Sequence, residues 1–114
     1  MTQTITTTLV DTCKNICPFF LSEAEESDYP YAVYDVVLTP HRTKDGIYKY
    51  VGAIDIFSIS EDADEAQSNA NAIEDAIASD MNSGNFISKL LDCQKQCQNG
   101  VWIIGLRYNI TEFV

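Results

Sequence analysis

Apolar residues repeat with two different periods along this chain. Ala63, Ala66, Ala70, Ile73, Ile77 and Met81 recur every three or four positions, which is one face of a helix. The stripe is narrow and mostly alanine, so the helix axis can lie close to whatever it covers. The stretch before it, Tyr48 to Ile59, is rich in β-branched and aromatic residues, which suit a pleated surface. Between the two, Ser60 supplies a cap residue. Glu61, Asp62, Asp64 and Glu65 then place carboxylates at the positive end of the helix dipole.

The remaining elements follow from similar signals. Thr6 to Cys17 is predicted as a first helix, with Ile5, Leu9, Cys13, Ile16 and Phe20 to one side and Pro18 ending it. Phe19, Phe20 and Leu21 are expected to tuck under a sheet. Residues 22–28 read as an acidic loop carrying Glu23, Glu25, Glu26 and Asp28. Tyr31 to Leu38 is predicted as a strand. Residues 39–46 read as a loop with a turn at Asp45-Gly46. That loop holds His41, Arg42 and Lys44, with Lys49 just beyond, and forms a basic finger expected to be mobile.

Asn82 to Asn85 closes the long helix, and Phe86 to Gln98 leads into a third strand. Asn99-Gly100 then signals a two-residue type I′ hairpin turn. With that turn at the tip, Cys97 faces Trp102, Lys95 faces Ile104, Cys93 faces Leu106 and Leu91 faces Tyr108. This is one apolar face, on which Cys93 and Cys97 are expected to be buried. On the other face Asp92 lies opposite Arg107.

The order is thus α-β-β-α-β-β. The fold class is α+β, a four-stranded, largely antiparallel sheet with two helices packed on one face. The other face would then present Val33, Asp35, Val37, Val51, Asp55, Phe57, Ile103 and Arg107, an apolar surface with embedded charges. Monomers rarely leave such a patch in water. Two readings follow: the N-terminal segment or a loop covers it, or it is a subunit interface whose charges fix the register. His41, Arg42 and Lys44 are the candidate assembly loop, meeting an acidic surface on a neighbour.

Composition narrows the function. The chain of 114 residues, 46% hydrophobic, is expected to form a single domain, residues 1–114. Seventeen acids against seven bases argue against binding a nucleic-acid backbone or an anionic membrane. No apolar run approaches the roughly 20 residues of a membrane span, and the N-terminus lacks the pattern of a signal peptide. The expected location is a cytoplasm or a particle assembled there. Cys13 and Cys17, like Cys93 and Cys97, are spaced C-x-x-x-C, which misses the usual zinc pattern. All four are expected reduced and metal-free. No cofactor signature is present, neither a P-loop nor a dinucleotide fingerprint, nor a nucleophile elbow. His41 stands alone as a histidine. Asp35 and Asp55 would suit acid–base work as a cross-strand carboxylate pair, but paired with Arg107 they read better as interface charges. The expectation is a protein that is not an enzyme.

Two stretches carry a family resemblance. Tyr29-Pro30-Tyr31-Ala32-Val33-Tyr34 is one; the other is Gly52-Ala53-Ile54-Asp55-Ile56-Phe57-Ser58, running through Ser60-Glu61-Asp62-Ala63-Asp64-Glu65-Ala66 into the helix. Together with the terminal hairpin, this resembles the tail-terminator or tail-completion proteins of long-tailed bacteriophages, the group that includes the lambda tail terminator and related minor tail proteins. The order of elements covers nearly the whole chain; the motifs are short. The resemblance implies a homo-oligomeric ring, commonly hexameric, in the tail of the virion. Such a ring caps the tail tube and joins it to the head, so its partners would be the tube protein and the head–tail connector. A connector (neck) protein of similar size, or a small α+β ligand-binding or regulatory domain, are the alternatives.

Overall fold

Seven elements make up the computed structural model, which describes residues 5–21, 29–82 and 84–114. They are α1 (Ile5–Cys13), β1 (Phe19–Leu21), β2 (Tyr31–Thr43), β3 (Gly46–Ser60), α2 (Ala63–Asp80), β4 (Phe86–Gln98) and β5 (Val101–Phe113). The strands form one sheet in the order β1-β2-β3-β5-β4. The sheet therefore has five strands, one more than the sequence suggests, and it is mixed: β1 runs parallel to β2, and every other pair is antiparallel. The acidic stretch 22–28 lies outside the described residues.

Alternation along the central strand sorts the sheet into two faces. In β3, Ile54, Ile56, Ser58 and Ser60 are buried and point toward the helices. In β5, Ile104, Leu106, Tyr108 and Ile110 do the same. The α2 stripe of Ala66, Ala70, Ile73, Ile77 and Met81 closes over them. α2 packs on β3 and β5, while α1 packs against α2 and β5. Ile5, Leu9 and Cys13 carry α1 into the same core. The small α2 residues let backbone come near backbone: the Ser58 hydroxyl donates to the Ala66 carbonyl at 2.9 Å.

A glycine fixes where α1 sits. A Cβ at Gly52 would lie 3.4 Å from Ile5 Cγ2 and 3.3 Å from Leu38 Cδ2, so glycine makes room for Ile5 on the sheet. The start of α2 is capped by Asp62, whose carboxylate accepts from the Asp64 amide at 3.0 Å. Ser60 accepts from the Asp62 amide at 3.1 Å and donates to Glu65 at 2.8 Å, tying the end of β3 to the first helical turn.

Three sequence expectations change. α1 ends at Cys13, with a hydrogen-bonded turn and Pro18 following, so it is shorter than Thr6 to Cys17. Phe19–Leu21 does not tuck under the sheet but joins it as β1, beside Ala32–Tyr34. Phe20 meets Tyr31 edge-on at 6.4 Å, while Phe19 stacks on Tyr34 at 4.7 Å on the helix side. The supposed loop 39–46 is mostly strand: β2 runs to Thr43 and β3 begins at Gly46, whose φ of 124° suits the two-residue connection.

The core makes a stability prediction. Ile73 is fully buried between α2 and the sheet. Ile73→Ala should cost about 2–5 kcal/mol, and Asp62→Ala about 0.5–2 kcal/mol through loss of the cap. Urea unfolding followed by Trp102 fluorescence would measure both.

Candidate functional site

The odd-numbered residues of β3 and β5 build the face that, among the described residues, carries no helix. Antiparallel partners point the same way, so the registers place whole rows on that face. Val33, Phe57, Gly105 and Gln94 form one row. Asp35, Asp55, Arg107 and Asp92 form the next, and Val37, Ala53, Asn109 and Lys89 the one after. All eight residues expected at the interface share this face. They are not equally available. Phe57 is 39% and Val37 64% exposed, whereas Val33 is only 8% exposed. Val33 lies in register between Phe20 and Phe57, so it is already covered within its own chain. Val51, Asp55 and Ile103 are half-buried, and Asp35 and Arg107 are exposed.

The expected polar contact at the centre is present. The Arg107 Nε donates to Asp55 Oδ1 at 2.9 Å across β3 and β5. That hydrogen bond and the charge of Asp55, with Asp92 adding to it, raise the guanidinium pKa above its usual value. Asp92 is opposite Arg107 as expected, but its own hydrogen bonds go to the Cys93 amide and the Gln94 side chain. Asp35 sits directly opposite Asp55, and like charges so placed repel. Beside this row the Phe57 ring lies over Gly105, where a Cβ would be 3.2 Å from Phe57 Cε1. Asp55, Phe57, Asp92, Gln94 and Arg107 line a shallow depression there.

Sequence reasoning missed part of this surface. Ile87, 57% exposed and opposite Thr111 on β5, belongs to it, as do Phe20 and Tyr31. The alternation of β4 would have supplied Ile87; nothing in three residues marks β1 as a strand. The N-terminal segment is not the cover considered from the sequence: from Ile5 onward it lies with α2 on the opposite face.

The candidate assembly residues His41, Arg42 and Lys44 are in a hairpin, not a loop. His41 and Arg42 are on β2, and Lys44 is in the turn. The β4–β5 hairpin keeps the expected register from Gln98–Val101 to Asp92–Arg107. Asn99 and Gly100 both have positive φ, 55° and 79°, as a type I′ turn requires. The register then shifts at Leu91, so that Leu90, not Leu91, faces Tyr108.

Cys93 and Cys97 are exposed, which corrects the expectation that they are buried beside Leu106 and Trp102. They lie on the helix side, opposite Leu106 and Trp102, but α2 covers β3 and β5 and leaves the edge strand β4 open. Lys95 between them rests its amine 5.2 Å from the Trp102 ring. Cys13 and Cys17 are buried and free. Among the described residues no three His, Cys, Asp or Glu side chains gather as a metal site would need. The Tyr108 hydroxyl, buried without a hydrogen-bond partner among the described residues, sits near the acids of α2 and the thiols of Cys13 and Cys93.

Comparison with known proteins gives a fold likeness. The chain is similar to a chain in the virion of the native gene transfer agent (GTA) particle, with a TM-score of 0.63 at 15% identity, covering 98% of this chain and 87% of that one. No protein-family model matches the sequence, and no curated protein matches it. The likeness establishes that the α+β fold is shared along nearly the whole chain.

The thiols yield a pH prediction. Burial, with smaller contributions from Cys17 and Asp80, pushes Cys13 up to about 12. Burial also raises Cys17. Cys93 and Cys97 should therefore react with an aromatic disulfide reagent in the native protein at pH 8, and Cys13 and Cys17 only after denaturation. Between pH 9 and 12 the unfolded chain releases the Cys13 proton while the folded chain holds it. Stability should therefore fall as pH rises through that range. Tyr108, also raised by burial, adds to the same trend. Urea titrations at stepwise alkaline pH would show it.

Proposed function

We propose that this chain is a structural protein of a phage or phage-derived particle, a tail-terminator protein that assembles as a ring on the tail tube. The observation that carries the proposal is the open sheet face: a helix-free apolar surface with a fixed ion pair at its centre, on a fold similar to a chain of a gene transfer agent virion. Supporting it is the resemblance in Tyr29–Tyr34 and Gly52–Ala66 to tail-terminator proteins. In this reading the protein works by shape and surface, catalyses nothing, and resides in the virion tail after assembly in the bacterial cytoplasm. Neighbouring copies bury Phe57 and Val37, and the Asp55–Arg107 pair sets their register. Other surfaces of the ring meet the tube and the head connector.

The energetic case is modest and specific. Each square ångström of apolar surface buried contributes roughly 25 cal/mol before the costs of association. Phe57 is the largest exposed side chain at the centre of the face and the natural anchor.

Sedimentation velocity across a concentration series tests this. The wild type is expected to assemble as concentration rises, and electron microscopy of that fraction to show closed rings. Phe57→Asp should raise the assembly midpoint more than about tenfold, the scale of losing an interface anchor, with the far-ultraviolet circular dichroism unchanged. A wild type that stays monomeric throughout would contradict the proposal.

A further inference from the structure

The β2–β3 hairpin outruns the sheet that supports it. The last β5 partner of β3 is Phe113, opposite Lys49, and β1 reaches only Ala32 to Tyr34. Beyond these points residues 42–47 form a two-stranded ribbon, at one end of a molecule 52 Å long and 25 × 23 Å across, and the Val114 amide donates to the Tyr48 carbonyl at 3.0 Å at its base. Such a ribbon has little to hold it in water. Its internal contacts are few: His41 meets the Tyr48 ring edge-on at 6.4 Å, and the Lys49 amine lies 5.7 Å from the same ring. A register shift beside His41 leaves Tyr48 as an extra residue, 45% exposed.

The ribbon is also the basic part of an acidic protein. Arg42 and Lys44 are exposed, Lys49 stands at its base, and Asp45 alone opposes them. The open face has the opposite character. Across its middle run Asp35, Asp55, Arg107 and Asp92, with Lys89 further out on the edge strand. Arg107 is taken by Asp55, and among the described residues no cation lies within ion-pair distance of Asp35. Along β2 the ribbon begins seven residues beyond Asp35, and none of its cations forms an ion pair with the acidic row of its own chain.

We infer that the basic ribbon of one copy docks on the open face of the next, Arg42 and Lys44 meeting the row of Asp35 and Asp92 beside Phe57. The inference rests on the reading of that face as a subunit contact and names its occupant. Two different surfaces at separate places on one chain make a head-to-tail contact, the kind that closes into rings. Opposite charges fix its register and make it sensitive to salt.

Charge reversal with rescue tests it. Arg42→Glu with Lys44→Glu turns the ribbon acidic; Asp35→Lys with Asp92→Lys turns the face basic. All four residues are exposed, and circular dichroism would verify that each variant folds. Each variant alone should assemble at least tenfold more weakly than wild type in sedimentation velocity. An equimolar mixture should regain assembly, because each altered surface then finds its complement on the other variant. The single-site pair Arg42→Glu and Asp35→Lys repeats the test with less disturbance. If Phe57→Asp still dissociates the assembly but the charge variants assemble like wild type, or their mixture gains nothing, the face remains an interface and the ribbon is not its occupant. A wild type that never assembles overturns both readings.

Discussion

Two helices can cover only one side of this sheet. β3 and β5 alternate large apolar residues inward, and α2 with its alanine stripe, joined by α1, closes over them. What remains is a face whose outward positions are apolar as well: Phe57, Val37, Val51, Ile59, Ile103 and Ile87. A strand with one solvated side normally alternates apolar with polar residues. β3 does not, and the unspent apolar area is what the assembly reading explains. Gly52 and Gly105 mark the two sides of the same constraint. One admits Ile5 from the helix layer, and the other lets the Phe57 ring lie flat on the open face.

In the proposed assembly, charge decides how the open face is used. An apolar sheet with no polar features would accept any similar surface and invite indiscriminate pairing. Here an acidic row crosses it, pinned by the Arg107–Asp55 hydrogen bond. The pair is partly exposed, so its value lies in orientation more than in stability. The opposition of Asp35 and Asp55 is unfavourable within one chain, and in the proposed assembly a cation from another copy relieves it.

The parts of this arrangement that obey short-range rules were legible in the sequence. The helical stripe from Ala66 to Met81 is intrinsic to its period, and the Asn99-Gly100 turn set the β4–β5 register as far as Asp92. Alternation placed Asp35, Asp55, Phe57 and Arg107 on one face before any packing was known. The parts that failed depend on distant contacts. Cys93 and Cys97 point to the helix side, yet no periodicity tells how far α2 extends across the sheet, and it stops short of β4. β1 exists because Ala32 to Tyr34 offer an edge, not because of its own three residues. Pro40 and the charged residues after it look like a loop, although an edge strand tolerates both. The shift at Leu91 interrupts a regular pattern with no local mark, and Val33 is shielded by a neighbour from β1 that the sequence does not announce.

Burial of the open face between copies, as proposed, is read residue by residue by oxidative footprinting across a concentration series. Phe57, Val37 and Ile87 are exposed on that face, while Leu90 and Trp102 lie on the helix side and serve as internal controls. Oxidation of Phe57, Val37 and Ile87 should slow as the protein assembles, with Leu90 and Trp102 unchanged. Assembly that leaves Phe57 and Val37 as reactive as in the dilute protein, or that protects the helix side instead, would contradict it.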